Sequence, residues 1–188
     1  NIKHSIICPG VDVNVVFLGN MRFLGNMDIH EDYLRSIIFG FQDSLVSTTG
    51  VIAGVAAGTS NKELVILTGI VTITVESLSM GAGQYMSEKS VHQMDKSGKH
   101  TDNLYVGGGF MALSYFLGGL VPLAPILTFR LPLSATLSIA FALVGLFILG
   151  FLKAHIVKVN PLKSAFEIFI LGGVATLIGL IVGRMFKI

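Results

Sequence analysis

The sequence has few charged residues, one cysteine and no tryptophan. Asp, Glu, Lys and Arg make up 13% of its 188 residues, whereas 52% are hydrophobic. A soluble domain has roughly 25% charged residues, so this chain has too little charge to cover itself with a hydrated surface. The net charge of +2 is also too small for the phosphate contacts of a nucleic-acid-binding protein. These shortages exclude a soluble enzyme, a disordered tail and a nucleic-acid binder.

The N-terminal part of the chain has no clear targeting signal. Cys8 is the single cysteine, and one cysteine cannot staple a secreted domain through an internal disulfide. Residues 6–18 are mildly apolar but lack the basic-then-apolar order of a signal peptide. We therefore divide the chain into an N-terminal segment, 1–33, for which an interfacial position is one alternative, and a transmembrane domain, 34–188.

Five stretches are long and apolar enough to cross a bilayer as helices. About 20 apolar residues are needed to span roughly 30 Å of hydrocarbon. The predicted spans are 37–57, 64–86, 104–129, 131–152 and 165–183. A short polar loop is predicted at 87–103, and the other links are shorter still, so sequential helices are expected to be antiparallel. The sequence thus predicts an all-α integral membrane protein with five transmembrane helices.

Lysine and arginine positions predict the orientation in the membrane. A cytoplasmic N-terminus places most of them inside, namely Lys3, Arg22, Arg35, Lys89, Lys96, Lys99, Lys153, Lys158 and Lys163. Fewer then lie outside, namely Lys62, Arg130, Arg184 and Lys187. This excess favours a cytoplasmic N-terminus and an external C-terminus. Because five spans cannot form two equal inverted halves, a substrate path could need a second copy of the chain.

Two carboxylates lie inside the predicted spans. Asp43 is the one charged residue of the first span, and Glu76 is the one charged residue of the second. A charge at the bilayer centre costs about 2.5 to 3.5 kcal/mol, so such residues usually face a cavity or a partner and serve function. The alternative is that each is a protonated or hydrogen-bonded packing residue.

The second span presents a mixed stripe of side chains that suits a transition metal. Glu76, Met80 and Gln84 are spaced four residues apart and therefore share one helix face. Counted from the predicted inner ends of the spans, Asp43 and Met80 are both roughly 9 Å deep, so we expect them to lie level. Carboxylates bind divalent cations, and a thioether prefers transition metals to Mg²⁺ or Ca²⁺. These four residues predict a transient site for Fe²⁺ or Mn²⁺, at which protons compete with the metal.

Several other features each have two interpretations. Small-residue faces, made of Gly50, Gly54 and Gly58 on the first span and Gly179 and Gly183 on the fifth, suit a dimer seam or packing within one chain. Pro122 and Pro125 predict a hinge or a static kink in the third span. Glu167 is an interfacial charge or part of an entry route. His92 and His100 belong to a solvated loop or collect metal there.

Four stretches resemble the vacuolar iron transporter family. Residues 34–50 (LRSIIFGFQDSLVSTTG) are similar to its first helix, and residues 79–87 (SMGAGQYMS) to the end of its second. Residues 121–125 (VPLAP) resemble the proline pair of its third helix, and residues 160–165 (NPLKSA) the run that leads into its fifth. The resemblance covers roughly residues 30–187.

The resemblance implies a five-helix homodimer that moves Fe²⁺, and often Mn²⁺, out of the cytoplasm in exchange for protons. It also implies an ion path lined by the first two helices near the dimer axis. Asp43 and Met80 match the family's pore ligands, and Glu76 lies on the same stripe. Gln84 stands where many members have Glu, which weakens the charge at the inner entrance. The segment 87–103 is too short for the cytoplasmic metal-binding domain that many members carry.

The sequence therefore indicates a metal exporter with divalent metal and protons as its ligands and with no permanent cofactor. No GxSxG, HExxH, CxxC or P-loop motif occurs, so an enzyme is not indicated. The lack of a metal-binding domain favours a prokaryotic plasma membrane, with a vacuolar membrane as the alternative. A membrane sensor or assembly subunit and a passive divalent cation channel are the alternative functions.

Overall fold

The structure, a computed structural model, describes residues 31–94 and 103–186. Of residues 31 and 32 it describes the backbone alone. These residues form five α-helices and no strand. The helices are α1 (Glu31–Gly58), α2 (Lys62–Met94), α3 (Leu104–Thr128), α4 (Leu133–Val157) and α5 (Pro161–Met185). Each is long and apolar enough to cross a membrane. The prediction of an all-helical membrane protein with five spanning helices is confirmed.

Four helices (α1, α2, α4 and α5) extend beyond the apolar spans predicted from the sequence. Helix α2 continues to Met94. Residues 87–94 are therefore helical, and the prediction that they belong to a loop is wrong. Polar residues end the hydrophobic span, but residues 87–94 contain no glycine or proline that would end the helix. Helix α4 likewise continues to Val157, where Lys158 takes a left-handed φ of 57°. His100 and the N-terminal segment 1–30 lie outside the described residues.

Asparagine side chains begin three of the helices. Asn61 accepts hydrogen bonds from the backbone N–H of Glu63 at 2.9 Å and of Leu64 at 3.2 Å. Asn103 caps α3 through Tyr105 N, and Asn160 caps α5 through Lys163 N. These side chains satisfy backbone donors that a helix start leaves unpaired. The caps fix where α2, α3 and α5 begin.

Helix α1 lies at the centre of the bundle and packs against each of the other four helices. One apolar cluster joins α1, α2 and α3 and consists of Ile52, Val65, Ile73, Leu123 and Ile126. A second cluster joins α1, α4 and α5 and consists of Leu45, Ala142, Leu146 and Ile168. Leucine, isoleucine, valine and phenylalanine side chains are exposed on the outward faces of α2, α4 and α5. This is the surface that a lipid environment covers.

The glycine faces of α1 and α5 pack against each other within the chain. A Cβ added at Gly54 would lie 2.8 Å from the carbonyl oxygen of Gly179, and one at Gly58 would lie 3.0 Å from that of Gly183. Such distances leave no room for a side chain, so only glycine lets the two backbones approach this closely. Of the two interpretations that the sequence allowed for this face, the structure shows packing within one chain.

Helix α3 passes through both of its prolines without a break. The carbonyl oxygen of Pro122 accepts a hydrogen bond of 2.6 Å from the buried Ser138 hydroxyl of α4. A neighbouring helix thus supplies a polar contact at the proline pair, as expected for proline in a membrane helix. This hydrogen bond joins α3 to α4. Helix α3 also packs against α1 and α2.

Candidate metal site between helices α1, α2 and α3

The two carboxylates lie at a similar distance from the short link between α1 and α2. At 1.5 Å per residue, Asp43 and Glu76 are both roughly 20 Å along their helices from that link. Met80 is one turn further along α2. The helix lengths therefore bring Asp43 closer to the level of Glu76 than to that of Met80, because both helices end beyond the predicted span boundaries. Asp43 is also within electrostatic range of Glu76.

The Glu76 carboxylate meets two hydroxyl groups from two different helices. Ser47 of α1, one turn after Asp43, donates a hydrogen bond to Glu76 Oε2 at 3.2 Å. The Tyr115 hydroxyl of α3 donates to the same oxygen. The Ser47 and Tyr115 oxygens are themselves 2.5 Å apart. Helices α1, α2 and α3 thus converge on one carboxylate oxygen.

The remaining side chains predicted for the site lie on the same face of α2 as Glu76. Met80 and Gln84 are half-buried. The Gln84 amide nitrogen donates a 2.8 Å hydrogen bond to Glu88 Oε1, one turn further on. Glu88 in turn lies against α3, because a Cβ added at Gly107 would meet its Oε2 at 2.7 Å. Gln84 is therefore paired with a carboxylate about three turns away from Glu76.

Two other candidates lie apart from this stripe. Glu167 is exposed near the start of α5. His92 is half-buried near the end of α2. Within residues 31–94 and 103–186, no group of three or more His, Cys, Asp and Glu side chains is placed to hold a metal ion. At mid-depth, the carboxylates of Asp43 and Glu76 are within range of an electrostatic interaction.

A groove of about 680 Å³ on the surface of the bundle begins at Ser47, the α1 residue that bonds Glu76. It is lined by α1, α2 and α5, and it runs from Ser47 to the Gly58 end of α1 and to Phe186. Its lining is mainly apolar, with Ser47, Thr59 and Thr68 as polar exceptions. The groove therefore connects the level of Glu76 with the end of α1 that the sequence predicts to face outside.

Sequence reasoning missed Ser47, Tyr115 and Glu88. Ser47 is four residues after Asp43, so helical spacing could have placed both on one face of α1. A tyrosine in the middle of an apolar span, as Tyr115 is, is also a signal, since a buried hydroxyl requires a partner. Glu88 falls within the predicted loop 87–103. The sequence shows where the apolar span ends, and the helix continues beyond that point.

The arrangement can hold a proton or a cation at mid-depth in an apolar bundle. A carboxylate without a partner is costly in this environment, and hydroxyl donors reduce that cost for Glu76. The hydrogen bonds of Glu76 within the described residues all end on Oε2. A cation could therefore bind Oε1 of Glu76 and the Asp43 carboxylate without displacing these two hydrogen bonds.

Comparison with known proteins identifies the family. A model described as the VIT family matches residues 34–106 and 92–184. The vacuolar iron transporter 1 of Arabidopsis thaliana is 23% identical over 206 residues, which cover 77% of this chain and 82% of that protein. Vacuolar iron transporter homolog 3 of the same plant is 26% identical over 157 residues, which cover 76% and 78%. The vacuolar iron transporter 1 of Tulipa gesneriana is 24% identical, with coverage of 77% and 83%. Because the family model spans most of the chain, this membrane protein belongs to the VIT family.

Proposed function

We propose that this chain exports Fe²⁺, or a related divalent metal such as Mn²⁺, from the cytoplasm in exchange for protons. Its relatives are named vacuolar iron transporters, and its own Asp43, Glu76 and Met80 are the central metal ligands. Gln84, with Glu88, lies at the cytoplasmic entrance. The working unit is a homodimer in a prokaryotic plasma membrane, or in a vacuolar membrane if the host has one.

The observation that carries this proposal is the placement of Glu76. Its half-buried carboxylate is held by hydroxyls from α1 and α3, and Asp43 is within range of an electrostatic interaction with it. Two carboxylates supply too few ligands for tight binding by one chain. Weak, exchangeable coordination suits transport, because a conducting site must also release its ion.

The exchange with protons follows from the chemistry of the ligands. A carboxylate that binds a divalent cation must first be deprotonated. Asp43 and Glu76 therefore take up either the metal or protons, so release of one favours entry of the other. The groove from Ser47 to the Gly58 end of α1 provides the outward half of the route, with a second copy of the chain closing its open side.

The test is metal flux into proteoliposomes with and without a pH gradient. Asp43→Asn and Glu76→Gln should each reduce Mn²⁺ and Fe²⁺ flux to the level of protein-free liposomes. Glu63→Gln removes an exposed carboxylate near the start of α2 and should leave flux unchanged. Normal flux in both site variants would refute the proposed function. Flux that ignores the pH gradient would identify a passive channel instead.

A further inference from the structure

Tyr115 is a fully buried residue whose hydroxyl is directed at the proposed metal site. It lies in α3 and is 0% exposed. Its ring is enclosed by the bundle, and its hydroxyl contacts Glu76 Oε2 and Ser47 Oγ. Glu76 is on α2 and Ser47 is on α1, so the tyrosine brings α3 into contact with a site that the sequence assigned to the first two helices alone.

The contact restricts the glutamate more than it restricts the tyrosine. A glutamate side chain has three rotatable bonds and loses much conformational freedom when it is fixed. A tyrosine ring has two rotatable bonds, and this one is buried on all sides. Because Tyr115 and Ser47 both bond Oε2, they determine which oxygen of Glu76 stays available. That oxygen is Oε1.

We propose that Tyr115 is a positioning residue that acts through Glu76. Its hydroxyl, assisted by Ser47, fixes Oε2 and thereby presents Oε1 to the divalent cation. This inference rests on the proposed function and deepens it by assigning α3 a part in metal recognition. In metal sites, groups that orient the ligands commonly change metal affinity when they are removed.

The first test compares Tyr115→Phe with a matched control in Mn²⁺ flux. Phenylalanine keeps the ring and removes only the hydroxyl, so the half-saturating Mn²⁺ concentration should rise about tenfold, with a smaller change in the maximal rate. Ser114→Ala removes the neighbouring hydroxyl, which is also buried but bonds Met111 O of its own helix at 3.0 Å. That variant should match the wild type.

The second test needs no metal and reports on Glu76 itself. A hydrophobic carbodiimide such as dicyclohexylcarbodiimide labels intramembrane carboxyls when the carboxyl gives up its proton and an oxygen attacks the reagent. Hydrogen bonds donated by two hydroxyls stabilise the carboxylate that has lost its proton, and that form does not react with the reagent. Tyr115→Phe should therefore raise the labelling of Glu76, measured by mass spectrometry, whereas Ser114→Ala should not. Ser47→Ala, a milder change on another helix, should raise it in the same direction.

The outcomes separate the inference from the function on which it rests. A wild-type chain that moves no metal, together with raised Glu76 labelling in Tyr115→Phe, defeats the proposed function and supports the positioning role. Normal wild-type flux with wild-type labelling in both Tyr115→Phe and Ser47→Ala overturns the inference alone. A half-saturating Mn²⁺ concentration that does not change in Tyr115→Phe also overturns it.

Discussion

At the scale of single residues, the sequence reveals the carboxylates but not what surrounds them. Asp43 and Glu76 stand out because a charge within an apolar span is expensive. The signals of their partners Ser47 and Tyr115 are weaker, since serine and tyrosine occur in membrane helices for many reasons. The contact between α2 and α3 that joins Glu76 to Tyr115 is a product of packing, and helical spacing within one span does not encode it.

Gln84 and Glu88 show how a departure from a family pattern can be understood from structure. The resemblance gives Glu at position 84 in many members, and this chain has an amide there. The structure shows that amide donating to Glu88 at 2.8 Å. This chain thus has a carboxylate one turn further along α2, and the amide at position 84 bonds it without adding a second negative charge.

Gln84→Glu should make the stability of the protein depend on metal. The substitution replaces a hydrogen-bond donor by a second carboxylate, so the free energy of unfolding without metal should fall by about 1 kcal/mol. Mn²⁺ should restore it, because paired carboxylates can share a divalent cation. Titration with a denaturing detergent, in EDTA and in Mn²⁺, measures the free energy of unfolding.

The exchanged double variant Gln84→Glu/Glu88→Gln provides the control. It keeps one carboxylate and one amide in contact, with their positions reversed, and should behave like the wild type in both conditions. Equal losses of stability in EDTA and Mn²⁺ for the single variant would contradict the explanation.

At the scale of helices, the apolar spans and the short links predict the number of helices and their alternation. They do not predict helix ends, because α2 and α4 continue beyond the hydrophobic stretch. They also do not predict partners. The GxxxG spacing indicates close packing, but only the structure shows that the glycines of α1 meet those of α5.

Gly179→Ala should destabilise the contact between α1 and α5. The added methyl group would meet the Gly50 backbone, and overpacking of this kind typically costs about 1–3 kcal/mol. Gly173→Ala on the same helix meets nothing within 4 Å and should stay within about 0.5 kcal/mol of the wild type. Titration with a denaturing detergent measures both free energies of unfolding. Equal stability of the two variants would show that the α1–α5 contact is not close-packed.

At the scale of the whole molecule, the five membrane-spanning helices of the described residues put the start of α1 and the end of α5 on opposite sides of a membrane. The five helices are shown, and the direction of the bundle is predicted from the lysine and arginine positions. That direction decides whether the groove from Ser47 opens toward the outside. Export from the cytoplasm requires a groove that opens toward the outside.

Cysteine accessibility tests this orientation. In a Cys8→Ser background, Ser60→Cys in the link between α1 and α2 should react with an impermeant thiol reagent added to intact cells. Val159→Cys in the link between α4 and α5 should react only after the membrane is opened. Both positions are exposed, so accessibility is not limited by burial. The reverse pattern would mean that the bundle is inverted and that the groove opens to the cytoplasm.

The central claim is that Asp43 and Glu76 share one cation, and Mn²⁺ binding to the purified protein tests it most directly. Equilibrium binding, followed by electron paramagnetic resonance, gives the number of ions bound per chain in the wild type, Asp43→Asn, Glu76→Gln and the double variant. A shared site predicts that each single variant loses the same ion as the double variant. Separate sites would let each single variant keep part of the bound Mn²⁺, with complete loss only in the double variant, and that result would contradict the account.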